Sequence, residues 1–332
     1  MKSSMAIRAE SGPLAVDAFR RALRALGLYG ENPATVSATS SRSFDMLRIA
    51  VGLVVLYDSW AVLTWEHKTE MAHFLGVGMG SALLALLVAG VAFLELAIAA
   101  SLLSGRGVQV MGWLGVAYGL FVWIVMEHGG DFGRDATDPG VGLPYAVLFL
   151  FVVAADRLRR DEDVARNEIL ALARVAFGLL WAYDAVLKFQ PYFLGHYLDY
   201  LAAAQKDVGA SSLRGVYDGM WIALSTTLGP RTVAVLVGLT EAAVAEALVS
   251  GRGLRVIGPI GIGLALVVWT TAEEMGGPFS LGVATMMPMA LLGTAVLYAL
   301  ALGYVWVLYN PLDWIRSGRR AGRIPTGSSR GV

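Results

Sequence analysis

Ionisable side chains stand in this chain where the surrounding sequence is almost wholly apolar. Arg48 and Asp58 lie ten residues apart in one apolar run, and Glu95 interrupts the next. Later in the chain the same types return as Arg174, Asp184 and Glu241, joined by Lys188 and Glu246. A charge inside a membrane helix costs at least a few kcal/mol, so it persists when it is paired or functional. Two readings are open. In the first, these groups form inter-helix salt bridges that fix packing, with the long Arg48 side chain reaching Glu95. In the second, they line a polar pocket for a proton or a quinone head group. A carboxylate in a low dielectric tends to keep its proton, and quinone reduction takes up protons as well as electrons. On that reading Asp58, Glu95, Asp184 and Glu241 handle protons. Arg48 and Arg174 pair with them or bind an anion.

The elements that must hold these groups follow from composition. Of 332 residues, 56% are hydrophobic and 16% charged, with a mean hydropathy of +0.61. Soluble domains are less apolar and more charged. Lys+Arg and Asp+Glu both number 26, so there is no basic face for nucleic acid. No cysteine is present, which excludes disulfides, thiolate metal sites and iron–sulfur ligation by this chain. The four histidines, His67, His73, His128 and His196, fall at or beyond expected helix ends, so no haem and no metal site is expected.

Eight apolar segments are long enough to be read as helices crossing a bilayer: about 45–65, 82–104, 108–127, 141–156, 168–189, 232–250, 254–273 and 283–309. Strand alternation is absent, so the expected fold is all-α, a polytopic transmembrane bundle. Residues 1–43 form a cytoplasmic segment whose stretch 16–28 reads as an amphipathic surface helix or a mobile tail. Residues 311–332 form a basic cytoplasmic tail. The insert at 191–230 carries Tyr192, Tyr197, Tyr200, Tyr217 and Trp221, the pattern of interfacial helices on the outer side. With both termini on one side, 18 Lys/Arg gather there against five opposite. The positive-inside rule then places both termini in the cytoplasm of a prokaryotic inner membrane.

The two halves repeat. Arg48, Gly52, Tyr57 and Asp58 recur 126 positions later as Arg174, Gly178, Tyr183 and Asp184. Glu95, the Ser104–Gly107 turn, Gly112, Trp123 and Glu127 recur 146 positions later as Glu241, Ser250–Gly253, Gly258, Trp269 and Glu273. The difference of 20 is the insert. Residues 44–160 and 161–310 are therefore expected to be two parallel four-helix units related by an axis along the membrane normal.

Trp123 and Glu127, like Trp269 and Glu273, share one helix face near the outer end. Each Trp reads as an interfacial anchor or as one wall of a flat aromatic pocket flanking a head group. The loop after Glu127 is acidic, with Asp131, Asp135 and Asp138. It reads as a helix cap, with Thr137 or Asp138 at N-cap and Pro139 as the first helical residue, more than as a cation site.

Each half resembles the DoxX/DoxD group of four-helix membrane proteins. The resemblance rests on the Arg-x-x-x-Gly openings (Arg48 and Gly52, Arg174 and Gly178), on Glu95 and Glu241, and on Gly129, Gly130, Phe132, Thr137, Asp138, Gly140 and Tyr145. The second half keeps Gly276, Gly277 and Phe279 but lacks the Thr-Asp pair. The first span also resembles the opening of the vitamin-K-dependent carboxylase-type membrane domain. The DoxX/DoxD resemblance implies a quinone-interacting membrane subunit of an oxidoreductase, of the thiosulfate:quinone type, working with an outer-face redox subunit. Asp58, Glu95, Asp184 and Glu241 would then be catalytic, and Arg48, Trp123, Arg174 and Trp269 would bind the quinone. Lipids and quinone are the expected partners, and nucleic acid is not. The rival readings are a non-catalytic scaffold for a redox complex and a small-solute transporter.

Overall fold

The computed structural model describes residues 38–63, 68–69, 71–72, 76–130, 133, 136–160, 166–273 and 293–309. The expected surface helix at 16–28, the basic tail, His67, His73, Asp131, Asp135, Phe132 and the 276–279 motif lie outside them.

Among the described residues the chain is all-helical. Helix α1 spans Ala38–Ala61, α2 Ala82–Ser104 and α3 Val108–Phe121, which runs on into a π-turn at Val122–Met126. Then come α4 Gly142–Arg159, α5 Arg166–Lys188, α6 Pro191–Val208, α7 Leu213–Leu228, α8 Pro230–Ser250, α9 Leu254–Thr270 and α10 Thr294–Tyr309. The expected spans fall on these helices, and the insert resolves into the pair α6–α7. The segment 283–292 lies outside the described residues. Four stretches are long and apolar enough to cross a membrane: Ala82–Ser104, Val108–Met126, Ile169–Lys188 and Pro230–Ser250. Helices α9 and α10 are apolar but shorter. The outward faces of α1 to α3 are apolar too, with Leu53, Trp60, Leu86, Phe93 and Phe121 all more than half exposed. A soluble monomer rarely exposes such a contiguous surface.

Helix α1 packs on α2, α3 on α4, α5 on α8 and α9 on α10. The halves join through α4, which lies against α5 and α10, and through α10, which lies against α1. Helix α4 is consequently buried on all sides, from Pro144 to Asp156, and shows no polar face. An aromatic chain crosses the join: Phe44 stacks near Tyr304, Tyr304 on Phe151, Phe151 against Phe177, and Phe177 against Trp181 and Tyr298.

Glycines set the closest approach. A Cβ on Gly119 would stand 2.7 Å from both Ala146 N and Gly142 O, so α3 and α4 touch backbone to backbone. Gly112 and Gly115 admit Val153 and the Phe149 ring on the same face. In α9, by contrast, Gly263 meets nothing within 4 Å. Gly119→Leu should therefore destabilise by about 1–3 kcal/mol or more through overpacking, whereas Gly263→Leu should cause no loss. Thermal unfolding of the two variants in detergent checks this, and equal melting temperatures would contradict the packing.

Candidate functional site

Arg48 and Arg174 do not join the carboxylates as expected. Arg48 donates through Nη1 to the Leu102 carbonyl at the end of α2 and pairs with Asp45 at 3.1 Å. Arg174 donates to the Leu248 and Val249 carbonyls at the end of α8. Each helix end turns on a glycine in the left-handed region, Gly105 at φ 73° and Gly251 at φ 74°, beside its arginine. A cation there satisfies orphan carbonyls and the negative end of the helix dipole. The partners of both arginines are therefore helix-end carbonyls and not the carboxylates expected from the sequence.

The tryptophans also stand elsewhere. Trp123 donates from Nε1 to the Pro139 carbonyl at 3.1 Å, and Trp269 packs against Gly293. Each lies beside the start of the following helix, Trp123 next to Gly142 and Trp269 next to Gly293. There Glu127 accepts from the backbone N–H of Val141 at 2.7 Å and Gly142 at 3.1 Å. Glu273 does the same for Thr294 at 3.1 Å and Ala295 at 2.9 Å. So α4 is capped by a distant glutamate, not by Thr137 or Asp138, and Pro139 precedes the helix. Asp138 instead accepts from Gly140 N at 2.9 Å within the loop. Gly140 (φ 93°) and Gly293 (φ 90°) are needed because the capping carboxylate occupies the space of a Cβ.

The four carboxylates named from the sequence are all buried, in two groups. In the first half, Asp58 of α1 accepts from the Tyr145 hydroxyl of α4, and Glu95 of α2 accepts from the Tyr118 hydroxyl of α3 at 2.8 Å. In the second half, Asp184 of α5 has Tyr298 of α10 beside it, without a well-formed hydrogen bond between them. Lys188, one turn beyond Asp184, stands 3.8 Å from Glu241 of α8. The Lys188 ammonium also donates to the Thr137 carbonyl and lies 5.2 Å from the centre of the Phe193 ring. The Thr137–Asp138 loop of the first half thus completes the second group.

The second group borders a cavity of about 220 Å³. Asp184, Lys188, Glu241 and Glu273 supply its charged wall with Asp138, while Trp181, Phe193, Tyr197, Tyr200 and Tyr298 supply aromatic walls. Leu264 lines it too, at the position 146 residues after Tyr118. The tyrosine that fills the first half is a leucine in the second, which leaves room there. Four buried polar atoms on this lining have no hydrogen-bond partner: Trp181 Nε1, Asp184 Oδ1, Glu241 Oε2 and Tyr298 Oη. Buried orphans of this kind are costly and rare. Helix α6 roofs the cavity through Phe193, Tyr197, Tyr200 and Leu201. Of the eight residues named from the sequence, Asp184 and Glu241 reach it and the other six do not. Trp181 and Tyr298 were missed. The signal for Tyr298 was its spacing of 153 from Tyr145, once the loop before α10 is allowed seven extra residues over the 146 spacing. His196 lies inside α6, at a kink, not at a helix end. No group of three or more metal-ligating side chains gathers among the described residues.

No family model, no curated protein and no solved structure matches this chain.

Breaking a buried ion pair by removing one partner costs about 3–5 kcal/mol. Lys188→Met or Glu241→Gln alone should lower the melting temperature clearly, and the double variant should recover most of the loss. Additive losses in that double-mutant cycle would show that the pair is not coupled.

Proposed function

We propose that the chain is a quinone-binding membrane subunit of an oxidoreductase, and that the cavity of the second half receives the quinone head group. The observation that carries this is the set of orphaned polar atoms around a ring-sized, aromatic-walled space. A cavity of about 150 Å³ holds benzene, so the space here has room for one substituted ring. Trp181 Nε1 and the Tyr298 hydroxyl are donors suited to carbonyl oxygens. Asp184 and Glu241 are acceptors suited to the hydroxyls of the reduced ring. Lys188 holds its ammonium beside Glu241. A quinone supplies the two-electron, two-proton chemistry when bound. This chain's residues orient the ring, exclude water under α6 and carry protons at the Asp184, Glu241 and Tyr298 oxygens.

The same reading makes the bundle eight spans in two parallel four-helix units. It is supported by the recurrence of the arginine-to-carbonyl caps, the glutamate helix caps and the buried carboxylates at fixed offsets. Both termini are then cytoplasmic, and the cavity opens on the outer side under interfacial helices. The DoxX/DoxD resemblance adds a small sulfur compound such as thiosulfate as electron source, delivered directly or through an outer-face subunit.

The test is a short-chain benzoquinone titrated into the detergent-purified chain, followed by quenching of tryptophan emission. Saturable quenching is expected, and Ala265→Trp, which fills the cavity, should weaken binding at least tenfold. Quenching that survives Ala265→Trp unchanged, or no quenching at all, would end this reading in favour of a scaffold or a solute carrier. Addition of thiosulfate to the saturated chain then asks whether the ring is reduced.

A further inference from the structure

The second-half cavity carries an imbalance of charge that a neutral ring does not answer. Lys188 brings one ammonium to two carboxylates, Asp184 one turn before it on α5 and Glu241 across on α8. That ammonium is already committed. It donates to the Thr137 carbonyl and stands 3.8 Å from Glu241 Oε1. Asp184 Oδ1 and Glu241 Oε2 are left buried without a hydrogen-bond partner, on residues that are each 5% exposed. The other acids of the lining are occupied: Glu273 accepts from the Thr294 and Ala295 N–H groups, and Asp138 accepts from Gly140 N. Among the described residues no second lysine, arginine or histidine lines the cavity.

The rest of the wall is rich in aromatic rings. Phe193 already holds the Lys188 ammonium 5.2 Å from its ring centre, within the range of a cation–π contact. Trp181, Tyr197, Tyr200 and Tyr298 line the same space. Ring faces attract a cation through their quadrupole, most strongly where water is excluded. A buried carboxylate without a counter-charge is costly. A further positive charge is therefore favoured in this cavity, and a negative one is repelled. We propose that the cavity is a binding site for a monovalent organic ammonium ion, held by Asp184 Oδ1, Glu241 Oε2 and the aromatic walls. With the ion in place, two carboxylates face two cations. A benzene ring occupies a cavity of about 150 Å³. A trimethylammonium head is of similar size, so the 220 Å³ here admits it. The site goes beyond the quinone reading and does not rest on it. Where both hold, ring and ammonium compete for one space, and cationic amines are competitive inhibitors.

The test uses the full chain in detergent, without quinone and at fixed ionic strength. Choline is titrated in parallel with the neutral alcohol in which carbon replaces its nitrogen. Binding is read from tryptophan emission and from the rise in melting temperature. Choline should bind saturably and the alcohol at least tenfold more weakly, because the shape is kept and the charge is gone. Asp184→Asn should shrink that discrimination. Lys188→Met, which takes one cation away, should gain more in melting temperature from choline than the wild type does. Equal binding of the two probes, no choline binding, or choline binding that survives Ala265→Trp unchanged would overturn the proposal. Choline binding without quinone quenching keeps the ammonium site and ends the quinone reading, and the reverse result ends the ammonium site alone. Where both ligands bind, choline should displace benzoquinone; simultaneous binding would put choline elsewhere and overturn the proposal.

Discussion

A charge placed among apolar helices must be compensated where it stands, because no water can do it. This one constraint orders most of the molecule. Arg48 of α1 and Arg174 of α5 meet it by running to the free carbonyls of a neighbouring helix. The glutamates after α3 and α9 meet it by accepting the free N–H groups that open α4 and α10. Both solutions use a helix end as the counter-charge. Because the caps come from distant residues, they also lock one helix to another. The closure between Trp123, Glu127 and the start of α4 depends on glycines at 119, 140 and 142, where any side chain would collide with backbone or carboxylate.

The remaining carboxylates lie too deep for helix ends and are answered differently in the two halves. The first half gives each carboxylate a tyrosine hydroxyl, Tyr145 to Asp58 and Tyr118 to Glu95. The second uses a lysine, exchanges one tyrosine for Leu264 and is left with a cavity. The loop carrying Thr137 and Asp138 reaches across from the first half to close that cavity. The two halves are therefore not independent: α4 and its preceding loop serve both, and the aromatic contacts from Phe44 to Trp181 run through the join. This dependence gives a physical reason for keeping both halves in one chain.

Much of the fold could be read before any coordinates. The apolar runs located the helices, and the fixed offsets identified which buried charges correspond. Asp58, Glu95, Asp184 and Glu241 are buried, as their setting in apolar runs led one to expect. What the pattern could not supply was the partner of each group. Rise per residue placed Arg48 within reach of Glu95, yet the choice between a carboxylate and a carbonyl depends on which face of α2 turns toward α1. Trp123 was assigned to a pocket wall because its spacing from Glu127 shows a shared face, while the direction of that face is set by the π-turn at Val122–Met126. Tyr298 was hidden by the longer loop before α10. The roof formed by α6 could not be anticipated, since nothing in an amphipathic insert states what it covers. The exchange of Tyr118 for Leu264, by contrast, was present in the 146 spacing and went unread because neither residue is charged.

The central claim is that the space between Trp181, Tyr298 and the Lys188–Glu241 pair receives a planar ring. A cryo-electron-microscopy map of the chain in lipid nanodiscs supplied with a short-chain benzoquinone tests it most directly. The account predicts flat density in that space, with ring oxygens against Trp181 Nε1 and Tyr298 Oη and with α6 closed over it. A map with the space filled by a lipid tail or by collapsed side chains, and with ring density elsewhere or nowhere, would contradict it.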